Sequence, residues 1–179
     1  MIMNSRAGTS DSTVRRSGPA RYGTGAQMAG LAVIALLVAA AAAVGNLSAV
    51  STADKYEALE QPAWAPPSWL FGPVWTLLYS LMAIAAWLVW RAEPWQRVRV
   101  ALGVFVVQLI LNALWTPLFF AAEWRGVAFA EILVLLAAIV ATIVLFARHQ
   151  RWAAGVLVPY LLWTVFAAAL NLAVWQLNT

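Results

Sequence analysis

The chain has 179 residues, 64% of them hydrophobic and 10% charged, with 11 Trp, one His and no Cys. A soluble domain needs about a quarter of its residues charged to wet its surface, so this balance excludes an ordinary water-soluble globule and makes lipid the solvent. Thiol chemistry is excluded, His149 alone cannot build a multi-histidine metal centre, and the formal charge of +4 is concentrated in residues 1–26, leaving no basic face on a folded element for nucleic acid.

Residues 1–26 carry Arg6, Arg15, Arg16 and Arg21 against Asp11. Rich also in Ser, Thr and Gly, they bury too little apolar area to fold and are expected as a disordered basic tail. Five apolar stretches follow, at about 27–50, 71–90, 98–120, 127–146 and 152–177. Each is close to the about 20 residues that cross a bilayer core. The first is too long for the apolar region of a signal peptide and has no convincing cleavage site before Asp54. The fold expected for residues 27–179 is therefore an all-α integral membrane protein, a bundle of five transmembrane helices.

The 51–70 connection is near twenty residues long and contains Pro62, Pro66, Pro67, Trp64 and Trp69. Such a segment reads as a stiff aromatic lid. Lys and Arg in the tail, the 91–99 loop (Arg91, Arg97, Arg99) and the 147–152 loop (Arg148, Arg151) number nine, against Lys55 and Arg125 on the other side. The N-terminus is therefore expected in the cytoplasm and the C-terminus at the exterior.

Tryptophan gains at headgroup level, where its ring and its N–H are both satisfied. Trp64, Trp69, Trp90, Trp95, Trp124, Trp152 and Trp175 lie at span ends or in connections and fit this belt, with Trp87 one turn inside. Trp75, Trp115 and Trp163 are left over. Counting by three and four, the second span presents Trp75, Tyr79, Ala83 and Ala86, the third Gln108, Asn112 and Trp115, and the fifth Tyr160, Trp163, Ala167 and Asn171. Amides in a span avoid lipid, so these stripes are expected to face one another beneath the lid. There Asn112, Gln108 and Asn171 either bond helices together or contact a ligand. An aromatic cavity with a few amides and a lid suits a flat, largely apolar molecule.

Glu131 is the one acid well inside a span. It reads either as a proton-relay group or as a neutral, snorkelling or oligomer-paired side chain. Pro117 and Pro159 are expected to kink their helices. Ala83, Ala86, Ala137, Ala138, Ala141 and Ala167–Ala169 allow close helix approach and a possible dimer surface.

Four ordered motifs carry a family resemblance. They are Trp64-Ala65-Pro66-Pro67-Ser68-Trp69; Pro73-Val74-Trp75-Thr76-Leu77-Leu78-Tyr79; Gln108 through Trp115 with Leu118-Phe119-Phe120; and Pro159-Tyr160-Leu161-Leu162-Trp163 through Ala167, Asn171 and Trp175. Together, over about residues 28–178, they resemble the TspO/translocator protein family, the tryptophan-rich sensory proteins and peripheral-type benzodiazepine receptors. The resemblance implies five transmembrane helices, a homodimer, and binding of porphyrins such as protoporphyrin IX and haem, of sterols in some members, and of synthetic isoquinoline or benzodiazepine-type ligands. It implies porphyrin as ligand, with no obligatory cofactor.

By motif, Trp75 and Trp163 match cavity tryptophans linked to light-dependent porphyrin breakdown, Asn112 a ligand-contacting amide, Ala167 a small cavity residue, and Tyr56, Trp64 and Pro66 the lid. The chain departs from the pattern at Lys55-Tyr56, Gln61-Pro62 and Met82-Ala83. It also has Leu172, Ala173 and Gln176 where the cholesterol motif of animal members needs Tyr and Arg, which favours porphyrin over sterol. The reading is a membrane receptor or sensor for porphyrins that regulates tetrapyrrole metabolism or a stress response. The alternatives are a light-dependent porphyrin-degrading enzyme and a porphyrin or lipid transporter.

Overall fold

The structure, a computed structural model, describes residues 22–47 and 52–179. It contains helices α1 (Thr24–Leu47), α2 (Thr52–Glu57), α3 (Phe71–Ala92), α4 (Trp95–Thr116), α5 (Arg125–His149), α6 (Arg151–Val156) and α7 (Val158–Leu177). Five helical segments are long and apolar enough to cross a membrane: α1, α3, α4, α5, and the α6–α7 pair, which forms one bent span. This is the all-helical five-span bundle expected of the composition.

The tail expected at 1–26 lies outside the described residues up to position 21. Its last residues are described: α1 begins at Thr24, and Tyr22 stacks on Trp90 at 5.0 Å while its hydroxyl accepts the backbone N–H of Trp95 at 2.8 Å.

Prolines set the irregular points. Pro73 sits in the first turn of α3, where a missing N–H costs nothing. Pro117 opens a wide π-type turn, Pro117–Ala121, closed by Ala122 N–H donating to the Pro117 carbonyl at 2.9 Å. The last span breaks at Leu157, just before Pro159, which lies in the first turn of α7. Glu123, in the left-handed region at φ 57°, then reverses the chain between the π turn and α5.

Neighbour relations close the five spans into a ring: α1 packs on α3 and α4, α4 on α5, α5 on α6 and α7, and α6 on α3. Small residues permit the close approaches. Ala85 and Ala86 of α3, Ala128 of α5 and Ala153 of α6 are wholly enclosed. A Cβ on Gly30 of α1 would overlap the Trp90 indole, and one on Gly126 of α5 would fall 2.8 Å from Trp175. Large apolar side chains such as Leu36, Val100 and Leu162, more than half exposed, point outward, as a bundle solvated by lipid requires.

Candidate ligand-binding site

Inside the ring lies a narrow cavity, with room for about one water molecule, whose wall is drawn from four spans: Trp75 of α3, Asn112 and Trp115 of α4, Ile132 and Leu135 of α5, and Thr164 and Ala167 of α7. Trp75, Asn112, Trp115 and Ala167 are brought together as the stripe argument expects. The fourth span, α5, joins them through Ile132 and Leu135. Apolar residues in a span face lipid and core alike, so no sequence signal selected these two.

A chain of hydrogen bonds holds the wall. The Tyr79 hydroxyl donates to Asn112 Oδ1 at 2.7 Å, Asn112 Nδ2 to the Tyr160 hydroxyl at 3.2 Å, and that hydroxyl to Gln108 Oε1 at 2.8 Å. Gln108 Nε2 ends the chain on Met82 Sδ at 3.8 Å. Gln108 and Tyr160 are fully buried behind the wall, so in this arrangement Gln108 bonds helices together. Asn171 does likewise: its Oδ1 accepts from Trp115 Nε1 at 3.1 Å and its Nδ2 donates to the Arg125 carbonyl at 3.0 Å, tying α4, α5 and α7. Asn112 alone of the three amides reaches the cavity. Each of its amide atoms has one bond here and the capacity for another. Tyr79 packs against Trp75 with ring centroids 5.5 Å apart and acts from behind the wall.

Trp163 takes a different place from its two partners. It belongs to an aromatic layer between cavity and lid, 6.0 Å from Phe71 and 5.3 Å from Phe166, and its buried indole N–H has no acceptor. Counting by three from Tyr160 reaches Trp163, whereas the wall takes the i+4 residue, Thr164, whose hydroxyl donates to the Tyr160 carbonyl at 2.9 Å. Phe71 and Phe166 were absent from the stripes because nothing distinguishes a Phe in a span.

The lid folds onto this layer. Tyr56 is 4% exposed, packs edge-on against Phe71 at 5.2 Å and donates to the Pro66 carbonyl at 3.0 Å; burial pushes its phenol pKa up. Trp64 meets Phe166 at 5.8 Å. Gln61 Nε2 donates to the Tyr56 carbonyl, and Ser68 Oγ to Glu57 Oε1 at 2.6 Å. Tyr56 and Trp64 thus pack on the aromatic layer, and neither they nor Pro66 are among the cavity's wall residues.

Two polar contacts fasten the lid to the bundle. Lys55 Nζ donates to the Phe120 carbonyl at 2.8 Å, at the π turn. Five residues on, Asn178 grips the backbone of Glu60 twice, Glu60 N–H donating to Asn178 Oδ1 at 3.0 Å and Asn178 Nδ2 to the Glu60 carbonyl at 2.9 Å. Neither fastener was singled out from sequence, since interfacial Lys and Asn are common.

Glu131 lies in α5, both carboxylate oxygens buried without a hydrogen-bond partner. His149 is not among the cavity's wall residues: its Nδ1 bonds Glu93 Oε1 at 3.1 Å where α5 ends. Among the described residues no group of three or more His, Cys, Asp or Glu is placed to hold a metal ion.

Fold and site together define a multi-pass integral membrane protein with an aromatic, lidded cavity inside a five-helix ring. Residues 32–176 match the TspO/MBR family. The chain is 40% identical to the human translocator protein over 125 residues, 69% of this chain and 74% of that one. It is 39% identical to the tryptophan-rich protein TspO of Archaeoglobus fulgidus over 145 residues, 79% and 94% of the two chains. Against protein CrtK of Rhodobacter capsulatus it is 36% identical over 151 residues, 83% and 94%. The chain belongs to the TspO/MBR family.

Proposed function

We propose that this protein is a membrane receptor for porphyrins and related flat hydrophobic molecules, and that occupancy of its cavity regulates tetrapyrrole metabolism or a stress response. The observation that carries the reading is the convergence of Trp75, Asn112, Trp115 and Ala167, from three spans, on one cavity under a lid fastened at Lys55 and Glu60. Burial and stacking of aromatic faces supply affinity without metal ligation, and Asn112 has a lone pair and an N–H to spare for a polar edge.

With room for only about one water molecule, the cavity is far smaller than the about 300–1,000 Å³ of sites for drug-sized ligands. Entry of a porphyrin therefore requires the lid to part and the aromatic layer to repack. Titration with protoporphyrin IX and haemin, followed by Trp fluorescence and visible absorbance, should give similar affinities, with a sterol weaker. A large preference for haemin would contradict binding without an axial ligand.

A second reading, light-dependent porphyrin breakdown, is favoured by one observation: Trp75 touches Tyr79 at 5.5 Å and Tyr160 at 6.5 Å, a chain of oxidisable rings beside the cavity. Loss of pigment at the wild-type rate in an illuminated Trp75→Phe, Trp163→Phe double variant would exclude their participation. In the cell we place the N-terminus in the cytoplasm and the C-terminus outside, on the nine-to-two arginine and lysine imbalance. We also read the chain as a homodimer, supported by small residues such as Ala137 and Ala141 on the outer face of α5.

A further inference from the structure

At the end of the bundle opposite the lid, two short connections meet. The Glu93–His149 bond at 3.1 Å pins the α3–α4 connection to the end of α5, and α6 packs on α3 beside it. Every Lys or Arg that the described residues place here is arginine: Arg91, Arg97, Arg99, Arg148 and Arg151. Glu93 is the one carboxylate among them, and both its oxygens are engaged, Oε1 by His149 and Oε2 by Arg97 at 3.2 Å. Arg91 lies over the Trp87 ring, 4.6 Å from its centroid. That leaves Arg99, Arg148 and Arg151 exposed, with no partner among the described residues. Trp95 and Trp152, 47% and 79% exposed, stand beside them.

We propose that this arginine rim is a binding site for the phosphates of anionic phospholipid headgroups. Exposed indoles anchor at headgroup level, so the neighbouring guanidinium groups sit at the depth of lipid phosphates. A guanidinium fork takes a phosphate bidentately, which an ammonium does not. A topology signal alone needs only positive charge and would be met by lysine. The opposite rim has a different character: Lys55 is bound to the Phe120 carbonyl, Arg125 lies 3.8 Å from Glu123, and Asp54, Glu57 and Glu60 add negative charge. The site is independent of the cavity and of which end faces the cytoplasm.

The test uses the full chain in nanodiscs made from an equal mixture of phosphatidylcholine and phosphatidylglycerol, with native mass spectrometry counting the lipids that stay bound. The wild type should retain phosphatidylglycerol preferentially. An Arg99→Gln, Arg148→Gln, Arg151→Gln variant should lose that enrichment, at about fivefold per arginine. A Lys55→Gln, Arg125→Gln variant should keep it. An unchanged melting temperature in pure phosphatidylcholine establishes that the triple variant is folded; if it is not, the single Arg151→Gln variant should still lose about fivefold. Inorganic phosphate added to the wild type should not displace the lipid. The proposal is overturned by equal retention of the two lipids in the wild type, by enrichment that survives in the arginine variants, or by displacement with inorganic phosphate.

Discussion

Replacing Asn178 with Ala should speed both ligand entry and ligand exit while leaving the dissociation constant where it was. The side chain makes two hydrogen bonds to Glu60, at 3.0 and 2.9 Å, and both are solvent-exposed. Exposed bonds fall at the low end of the net range, about 0.5 kcal/mol each, because water replaces them when they break. Their joint loss favours lid opening by about 1 kcal/mol, a factor of about five. If porphyrin enters beneath this lid and the same clasp closes over the empty and the filled cavity, both rate constants rise by this factor and their ratio stays constant. Stopped-flow quenching of Trp fluorescence by protoporphyrin IX measures both rates. Wild-type rates in the variant would mean that the lid is not the route. A fivefold weaker affinity arising from the off-rate alone would mean that Asn178 touches the ligand, and the gating argument would fail. Lys55→Met, which removes a half-buried, charge-assisted bond of about 1.5–3 kcal/mol, should act in the same direction and more strongly.

Other substitutions probe the frame. Gly30→Ala should lower the melting temperature through an overpacking cost of about 1–3 kcal/mol, since the added carbon overlaps the Trp90 indole between α1 and α3; wild-type stability would show that the contact is slack. Trp115→Phe removes the donor to Asn171 and should destabilise the bundle by about 0.6 kcal/mol, and by no more than about 1.7, the range of interhelical bonds in membranes. Glu93 titrates below the usual carboxylate range, first because of its bond to His149 and then because of Arg97. A depressed folded-state pKa gives stability that is present above the unfolded value of 4.5 and lost as pH falls through the folded one. Glu93→Gln should therefore melt lower than wild type near neutral pH, the gap closing only as pH falls below 4.5 and through the lower folded-state value; parallel melting curves across that range would count against the Glu93–His149 link.

The five spans were legible because a bilayer demands about 20 apolar residues per crossing, a requirement that leaves a visible run. The ring order of those spans was not, because it depends on close approaches such as Gly30 against Trp90 and Gly126 against Trp175. Within the site, Trp75, Asn112 and Trp115 could be found because large aromatics and amides inside a span must face protein. Ile132 and Leu135 could not, being equally at home in lipid. Asn171 and Gln108 gave the same polar signal as Asn112, and only their hydrogen-bond partners distinguish a helix staple from a wall residue. The lid was visible from its prolines and tryptophans. Its clasp, which joins positions 118 apart in sequence, was not.

The most direct measurement is protoporphyrin IX binding to an Ala167→Phe variant beside the wild type, each first shown to be folded by its melting curve. Ala167 lines the cavity together with Trp75 and Trp115, and a phenyl group there would fill it. If this cavity is the porphyrin site, the wild type quenches its Trp fluorescence on titration and the variant does not. Equal quenching at equal concentrations in the two proteins would place any porphyrin elsewhere on the molecule.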